Sequence, residues 1–295
     1  MKMAVIGAGK WGQALYHAYS EKNDVVIHSR TAREIENFVS LDEALQREYL
    51  VMAIPAQFVR GWLEENFVDH GQKILVAAKG IETATGAFLN EIYEAFIPKD
   101  RLAYISGPSF AAEVVQSLPT ALMISSYNLS LAQTFADALP DYIKGYVSDD
   151  VVGAEVSGAY KNVIAIASGV CDGLKLGNNA RAALISRGLV EMTRFGEAFG
   201  AKSETFLSLG GAGDLFLTAS STLSRNYRVG LGLAQGKTMD QILEELGEVA
   251  EGVGTARALH KIAQEKNLYL PIAEQVYEMI EKGKDPHESV KELLG

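Results

Sequence analysis

The stretch "AVIGAGKWG", residues 4 to 12, sets a short apolar run directly against glycines at 7, 9 and 12. The run reads as a strand, and the "WGQALYHAYSE" that follows from residue 11 reads as a helix. Between a strand and a helix, the G-x-G-x-x-G spacing has a physical meaning. Gly7 makes the tight turn, Gly9 admits a pyrophosphate close to the backbone, and Gly12 allows close helix packing while helix N–H groups face the anion. The spacing alone would be weak. The bland alternative is a glycine-rich turn that binds nothing; otherwise Lys10 and Trp11 line a dinucleotide-binding loop.

Outward from this loop, apolar runs alternate with helix-length segments: residues 3 to 6, 25 to 28, 49 to 54, 73 to 78, 102 to 106 and 120 to 126. Strands buried on both faces and separated by helices predict a parallel, doubly wound sheet, an α/β Rossmann-like domain. After "YIKGYVSDD" at 142 to 150 the texture changes to long Ala-, Leu- and Gly-rich periodic stretches, so an all-α C-terminal domain is expected. The boundary falls near Ser148 to Asp150, where an aspartate can cap the next helix, giving domains 1–148 and 149–295. One helix is expected to begin at Pro271, whose missing N–H suits a first turn.

A chain of 295 residues fits two domains better than one, and 48% hydrophobic with 22% charged residues is ordinary for a soluble globular protein. The net charge of -10 disfavours nucleic acid and anionic membranes as partners, so an anionic ligand must be held by a few placed cations. One cysteine, Cys171, excludes an internal disulfide and a thiolate zinc cluster, and five scattered histidines show no ligand spacing, so no metal is expected. The N-terminal apolar run is too short for a signal peptide, and no stretch approaches the roughly 18 to 20 apolar residues of a membrane span. A soluble, cytoplasmic protein is expected.

Several cations are placed where ligands bind. The second strand ends in "IHSRTAR" without an acid that would grip a ribose 2′-OH, and Arg30 there can neutralise a 2′-phosphate or simply be a solvated loop charge. NADPH should be accepted, with NADH the other option. Lys79 follows the fourth strand, and "SGPSF" at 106 to 110 follows the fifth; at the carboxyl ends of the strands both would border the crevice, the alternative for Lys79 being a surface lysine at a strand end. Gly107 and Ser109 could bring a backbone N–H and a hydroxyl there, or form a plain turn. In "LGGAGDLFLTASSTLSRN", 209 to 226, the glycines lack a βαβ context and are rejected as a second nucleotide loop. If one helix starts near Asp214, then Asp214, Thr218 and Arg225 share a face, with Asn226 beside it, as a phosphate and polyol reader or as a solvated face.

Lys161 is the residue hardest to explain by structure alone. It lies with Asn162 in "VSGAYKNVIAIASG", 156 to 169, which leaves no continuous polar face. A buried unpaired ammonium costs several kcal/mol. It must find a carboxylate such as Asp214 or Glu155, meet a ligand, or lose its proton. The functional solution is catalysis: ketone reduction by hydride transfer leaves an alkoxide that needs a proton. A lysine whose basicity is lowered by desolvation and by a second cation such as Lys79 can donate it. Asn162 could hold the lysine or the substrate.

At these residues the chain resembles the bacterial NAD(P)-dependent glycerol-3-phosphate dehydrogenases. The likeness runs through "GAGKWG", "KGIE" at 79 to 82, "SGPSFAAEV" at 106 to 114, "GAEVSGAYKNVIAIASG" at 153 to 169, "GGAGDL" at 210 to 215, "SRNYRVG" at 224 to 230 and "VAEGVGTA" at 249 to 256. The resemblance implies reversible reduction of dihydroxyacetone phosphate to sn-glycerol 3-phosphate for phospholipid synthesis, and a homodimer. It implies that Lys161 is the proton donor and acceptor, that Asn162, Asp214, Thr218 and Lys79 belong to the catalytic set, and that Lys79, Gly107, Ser109, Asp214, Ser224, Arg225 and Asn226 touch substrate. Gly7, Gly9, Lys10, Trp11, Gly12, Arg30, Lys79, Ala111, Arg225, Val249 and Glu251 correspond to cofactor contacts. The chain departs from the family pattern in a short segment after Arg30 and in "IPAQFVRGW" after the third strand. The alternatives are another two-domain NADPH-dependent dehydrogenase, of the hydroxyacid, phosphogluconate or ketopantoate type, and a non-catalytic NADPH-binding sensor.

Overall fold

Seven strands, β1 (Lys2–Ile6), β2 (Asp24–His28), β3 (Tyr49–Met52), β4 (Lys73–Val76), β5 (Leu102–Ser106), β6 (Thr120–Ser125) and β7 (Ile143–Ser148), form one sheet in the order β2-β1-β3-β4-β5-β6-β7. The computed structural model describes residues 1 to 294; Gly295, the last residue of the expected helical domain, lies outside them. Contacts divide the chain into two units. Met1–Lys79 and Leu89–Ala154 carry the sheet, while Gly80–Phe88 join the chain from Glu155 onward in a helical unit.

In the sheet unit, Val5, Ile27, Val51 and Leu75 are fully buried at the strand centres, and Leu15 and Tyr19 of the helix Lys10–Ser20 pack into the same core. Burial on both faces is why these strands read as unbroken apolar runs. β1 pairs in parallel with β2 on one side and β3 on the other, so the winding reverses at β1, which places a crevice beyond its carboxyl end.

Two details depart from the expected parallel sheet. β6 runs antiparallel to β5, because the link between them holds only the four-residue helix Ala111–Val114, too short to carry the chain back along the sheet. β7, placed by the sequence in the transition to the second domain, is a seventh strand parallel to β6. It lies at the sheet edge with only Ile143 buried, and so lacks the apolar run that marks the others.

The helical unit is organised around the helix Val151–Gly173, whose 23 residues span about 35 Å. It is buried continuously from Ala154 to Cys171. Asp150 caps its start, Oδ1 accepting from the Gly153 N–H at 2.9 Å. Near its other end, Gly169 meets the helix Arg225–Ala234 so closely that a Cβ at Gly169 would lie 2.0 Å from the Tyr227 carbonyl oxygen. A Cβ at Gly230 would lie equally close, 2.0 Å, to that of Ile166. Only hydrogen-sized side chains permit this crossing, and the crossing brings Asn226 against Asn162. The helix Pro271–Lys282 starts at its proline, as the sequence predicts. Its first amides are capped from a distance: Glu191 accepts from Ile272 N–H and Ala273 N–H, each at 2.9 Å, and from the Tyr160 hydroxyl at 2.7 Å. Burial raises the Glu191 carboxyl above its ordinary range despite these donors.

The segment 209 to 226 differs most from expectation. Leu209–Gly213 form a π-helical turn leading into the short helix Asp214–Ala219, and the next helix begins only at Arg225. Asp214, Thr218 and Arg225 therefore do not share one helical face. Hydroxyls end the first helix and start the second. Ser168 donates to the Ala219 carbonyl at 2.7 Å, Ser221 accepts from Leu223 N–H at 3.1 Å, and Ser224 accepts from Tyr227 N–H at 3.3 Å as N-cap.

Candidate active site

In the glycine loop, Gly7 and Gly12 take the turn and the packing roles expected of them. Gly7 has φ +109°, and a Cβ there would meet the Ala53 carbonyl oxygen at 2.5 Å. A Cβ on Gly12 would fall 1.8 Å from the Gly7 carbonyl oxygen, so the first helix packs against the turn itself. Gly9 is different: a Cβ there would meet no protein atom within 4 Å. The turn and the packing thus need glycine for internal reasons, whereas Gly9 leaves open space above the helix start, as a pyrophosphate requires.

Other expected cofactor residues of the sheet unit border the same loop or follow neighbouring strands. Lys10 is exposed at the first position of the helix, and Trp11 donates from Nε1 to the Ala77 carbonyl at 3.0 Å, tying the loop to the end of β4, two residues before Lys79. Arg30 is exposed just past β2 and has no carboxylate partner among the described residues. After β5, Gly107 takes φ +115°, where a side chain would be strained, and Ser109 donates back to the Gly107 carbonyl at 3.0 Å. Ala111 opens the short helix beyond.

In the helical unit, Lys161 is 7% exposed and Asp214 1%. Lys161 Nζ donates to Asp214 Oδ1 at 2.5 Å and to Thr218 Oγ1 at 2.9 Å. The Thr218 hydroxyl donates in turn to the Asp214 main-chain carbonyl at 2.7 Å. Asp214, one of the two carboxylates suggested as partners, meets the amine directly as an ion pair. The short helix Asp214–Ala219 serves this pairing, since its first residue and the one four positions on face Lys161 together.

Beside the lysine runs a chain of amides. Gly252 N–H donates to Asn226 Oδ1 at 2.9 Å, Asn226 Nδ2 to Asn162 Oδ1 at 2.9 Å, and Asn162 Nδ2 to the Gly158 carbonyl at 3.3 Å. Gly252 is absent from the residues singled out by sequence, although it sits inside the quoted "VAEGVGTA". Its signal is a glycine in the first turn of the helix Glu251–Lys266, a place where glycine has no local use. Ser224, expected at the substrate, is buried as the N-cap described above. Arg225 stays exposed, with Nη1 3.4 Å from Glu248 Oε2, leaving most of its donors available. Val249 is exposed, and Glu251 is half-buried at the start of its helix.

A dinucleotide-binding sheet joined in one chain to a helical unit that buries a paired lysine defines the class of two-domain nicotinamide-dependent oxidoreductases. Comparison with known proteins narrows the class. Residues 31–132 match the family model described as the N-terminus of NAD-dependent glycerol-3-phosphate dehydrogenase, and residues 150–291 match its C-terminus. A glycerol-3-phosphate dehydrogenase [NAD(P)+] of Sulfurimonas denitrificans is 64% identical over 293 residues, 99% of each chain. One from Nitratiruptor is 61% identical, covering 100% of this chain and 98% of its own. The crystal structure of glycerol-3-phosphate dehydrogenase from Coxiella burnetii superposes with a TM-score of 0.91 at 33% identity, covering 99% of this chain and 98% of that one. The chain belongs to the NAD-dependent glycerol-3-phosphate dehydrogenase family. No helix among the described residues is long and apolar enough to cross a membrane.

Proposed function

We propose that this chain reduces dihydroxyacetone phosphate to sn-glycerol 3-phosphate, reversibly, with NADPH or NADH, as a cytoplasmic enzyme supplying phospholipid synthesis. The observation that carries the mechanism is the buried Lys161 ammonium held by Asp214 and Thr218. The open space at Gly9 and the unpaired Arg30 fit a dinucleotide with or without a 2′-phosphate. When bound, the reduced nicotinamide supplies the hydride that C2 of the ketone accepts.

The protein's own residues handle charge and protons. Lys161 transfers a proton from Nζ to the C2 oxygen as that oxygen becomes an alkoxide, and the neutral amine then takes a proton back from solvent. Asp214 keeps the amine loaded as ammonium before the transfer, and Thr218 fixes its direction. Arg225 and Asn226 hold the phosphate, the guanidinium by paired N–H bonds. Lys79, Gly107 and Ser109 complete the substrate contacts, with Ser224 holding the helix that carries Arg225. Lys10, Trp11, Ala111, Val249 and Glu251 line the cofactor, as the family resemblance implies.

The test is a substrate panel assayed with each reduced cofactor by loss of nicotinamide absorbance. Dihydroxyacetone phosphate should be turned over in preference to ketopantoate and to hydroxyacid or phosphogluconate partners. Turnover of one of those alone would overturn the assignment, and cofactor binding without any turnover would favour a sensor.

A further inference from the structure

The amide chain beside Lys161 has a direction, and the direction is set at its ends. A carboxamide turned over by 180° keeps its shape and exchanges donor for acceptor, so only its partners decide which way it faces. Here both terminal partners are backbone groups that cannot reverse. Gly252 N–H can only donate, and Gly158 C=O can only accept. The bonds from Gly252 to Asn226, from Asn226 to Asn162 and from Asn162 to Gly158 therefore form in one sense only, and turning either side chain over would set donor against donor and acceptor against acceptor. Each Nδ2 keeps a second N–H that no described residue accepts. Asn162 and Asn226 are both more than nine-tenths buried.

Gly252 is the anchor of this order. Its N–H is one of the orphan donors of a helix start, and Ala250, the N-cap, offers no side chain to satisfy it. Asn226 takes that bond instead. A Cβ on residue 252 would lie 2.7 Å from Asn226 Oδ1, 2.9 Å from the Asn162 carbonyl oxygen and 3.0 Å from Ile166 Cδ1. A methyl group there must displace the carboxamide it anchors.

We propose that Gly252 is a positioning residue that polarises the Asn226–Asn162 relay, so that both carboxamides present N–H donors and never carbonyl oxygens to the phosphorylated end of the substrate. A phosphate monoester dianion has acceptor oxygens only, so an amide facing it the wrong way would repel it. The inference rests on the function proposed above, and adds to it the group that makes the site selective for an anion.

Replacing Gly252→Ala tests it. The expected result is a fall of about 10- to 100-fold in kcat/KM for dihydroxyacetone phosphate, the loss of one or two hydrogen bonds to a charged group. For unphosphorylated dihydroxyacetone the change should stay within about threefold, with NADPH affinity by fluorescence titration unaltered. A selectivity ratio unchanged in the variant, while the wild type turns over dihydroxyacetone phosphate normally, overturns the relay alone; a wild type inactive on that substrate overturns the underlying assignment. Should Gly252→Ala not fold, wild-type protein labelled with 15N-asparagine decides. On adding glycerol 3-phosphate with oxidised cofactor, the side-chain N–H signals of both Asn162 and Asn226 should shift, and resonances that stay in place would refute the proposal.

Discussion

The Lys161–Asp214 pair makes opposite demands on stability and catalysis, and a double-mutant cycle separates them. At an effective dielectric of about 20, unit charges 2.5 Å apart attract by about 7 kcal/mol. Desolvation of two nearly inaccessible ions, at several kcal/mol each, offsets most of this. Removing one partner takes the ion pair away from a charge that stays buried. Lys161→Met and Asp214→Leu should therefore each destabilise the helical unit by about 3–5 kcal/mol, while the double variant, with two apolar side chains in the same space, should lie within about 2 kcal/mol of wild type. Urea denaturation followed by far-UV circular dichroism measures all four corners. Single losses below about 1 kcal/mol that simply add in the double variant would refute the reasoning, because they would mean that the pair is not closed off from water. Activity should follow a different pattern: kcat falls by about 10²- to 10⁴-fold in Lys161→Met and is not restored in the double variant, even though its fold is.

Three further outcomes follow from the sheet unit. Gly9→Ala should fold with stability within about 0.5 kcal/mol of wild type yet bind NADPH at least about tenfold more weakly, whereas Gly12→Ala should lose both, by about 1–3 kcal/mol or more in thermal denaturation; equal effects of the two would contradict the assigned roles. Arg30→Ala should weaken NADPH by about 10- to 100-fold in calorimetric titration and leave NADH nearly unchanged, as loss of a charge-assisted contact predicts. Asp69 is bidentate to Arg101, with both oxygens at 2.7 Å, and that guanidinium, aided by the Gly71 N–H, lowers its carboxyl from 3.8 to about 2. A lowered acid contributes stability above its unfolded value and loses it as pH falls from about 4 to about 2. Because the pair is exposed, the contribution should be below about 1 kcal/mol, and Asp69→Asn should flatten the acid limb of a denaturation-against-pH curve in that window.

What the sequence reveals is what local sterics and burial decide. The glycine spacing is legible because Gly7 and Gly12 meet the needs of one tight turn and the helix packed on it, with Gly9 left open between them. Lys161 is legible because an ammonium in a helix with no continuous polar face is anomalous wherever the helix lies. The direction of β6 depends on what its connecting link can span, and β7 hides because an edge strand needs no apolar run. The break at 220 to 224 escaped a reading by helical periodicity, since competing serine hydroxyls leave the 3.6-residue pattern on either side intact. Asn226 and Gly252 are joined by a side chain bonding to backbone 26 positions away, and Glu191 caps a helix 81 positions on. Neither pairing leaves a local mark.

The excursion of Gly80–Phe88 has a consequence for how the protein is made. This nine-residue piece is translated in the midst of the sheet unit but finds its place with the helices, where Phe88 rests its ring against Phe195 and Phe199 at 6.2 and 5.2 Å. Those two rings leave the ribosome about 110 residues after it, roughly 5 to 20 s later at ordinary rates of synthesis. For that interval the nascent strand order can close while Ile81 and Phe88 wait in water, a natural foothold for a chaperone and a reason why the gene cannot be split into two self-sufficient halves by one scissor cut.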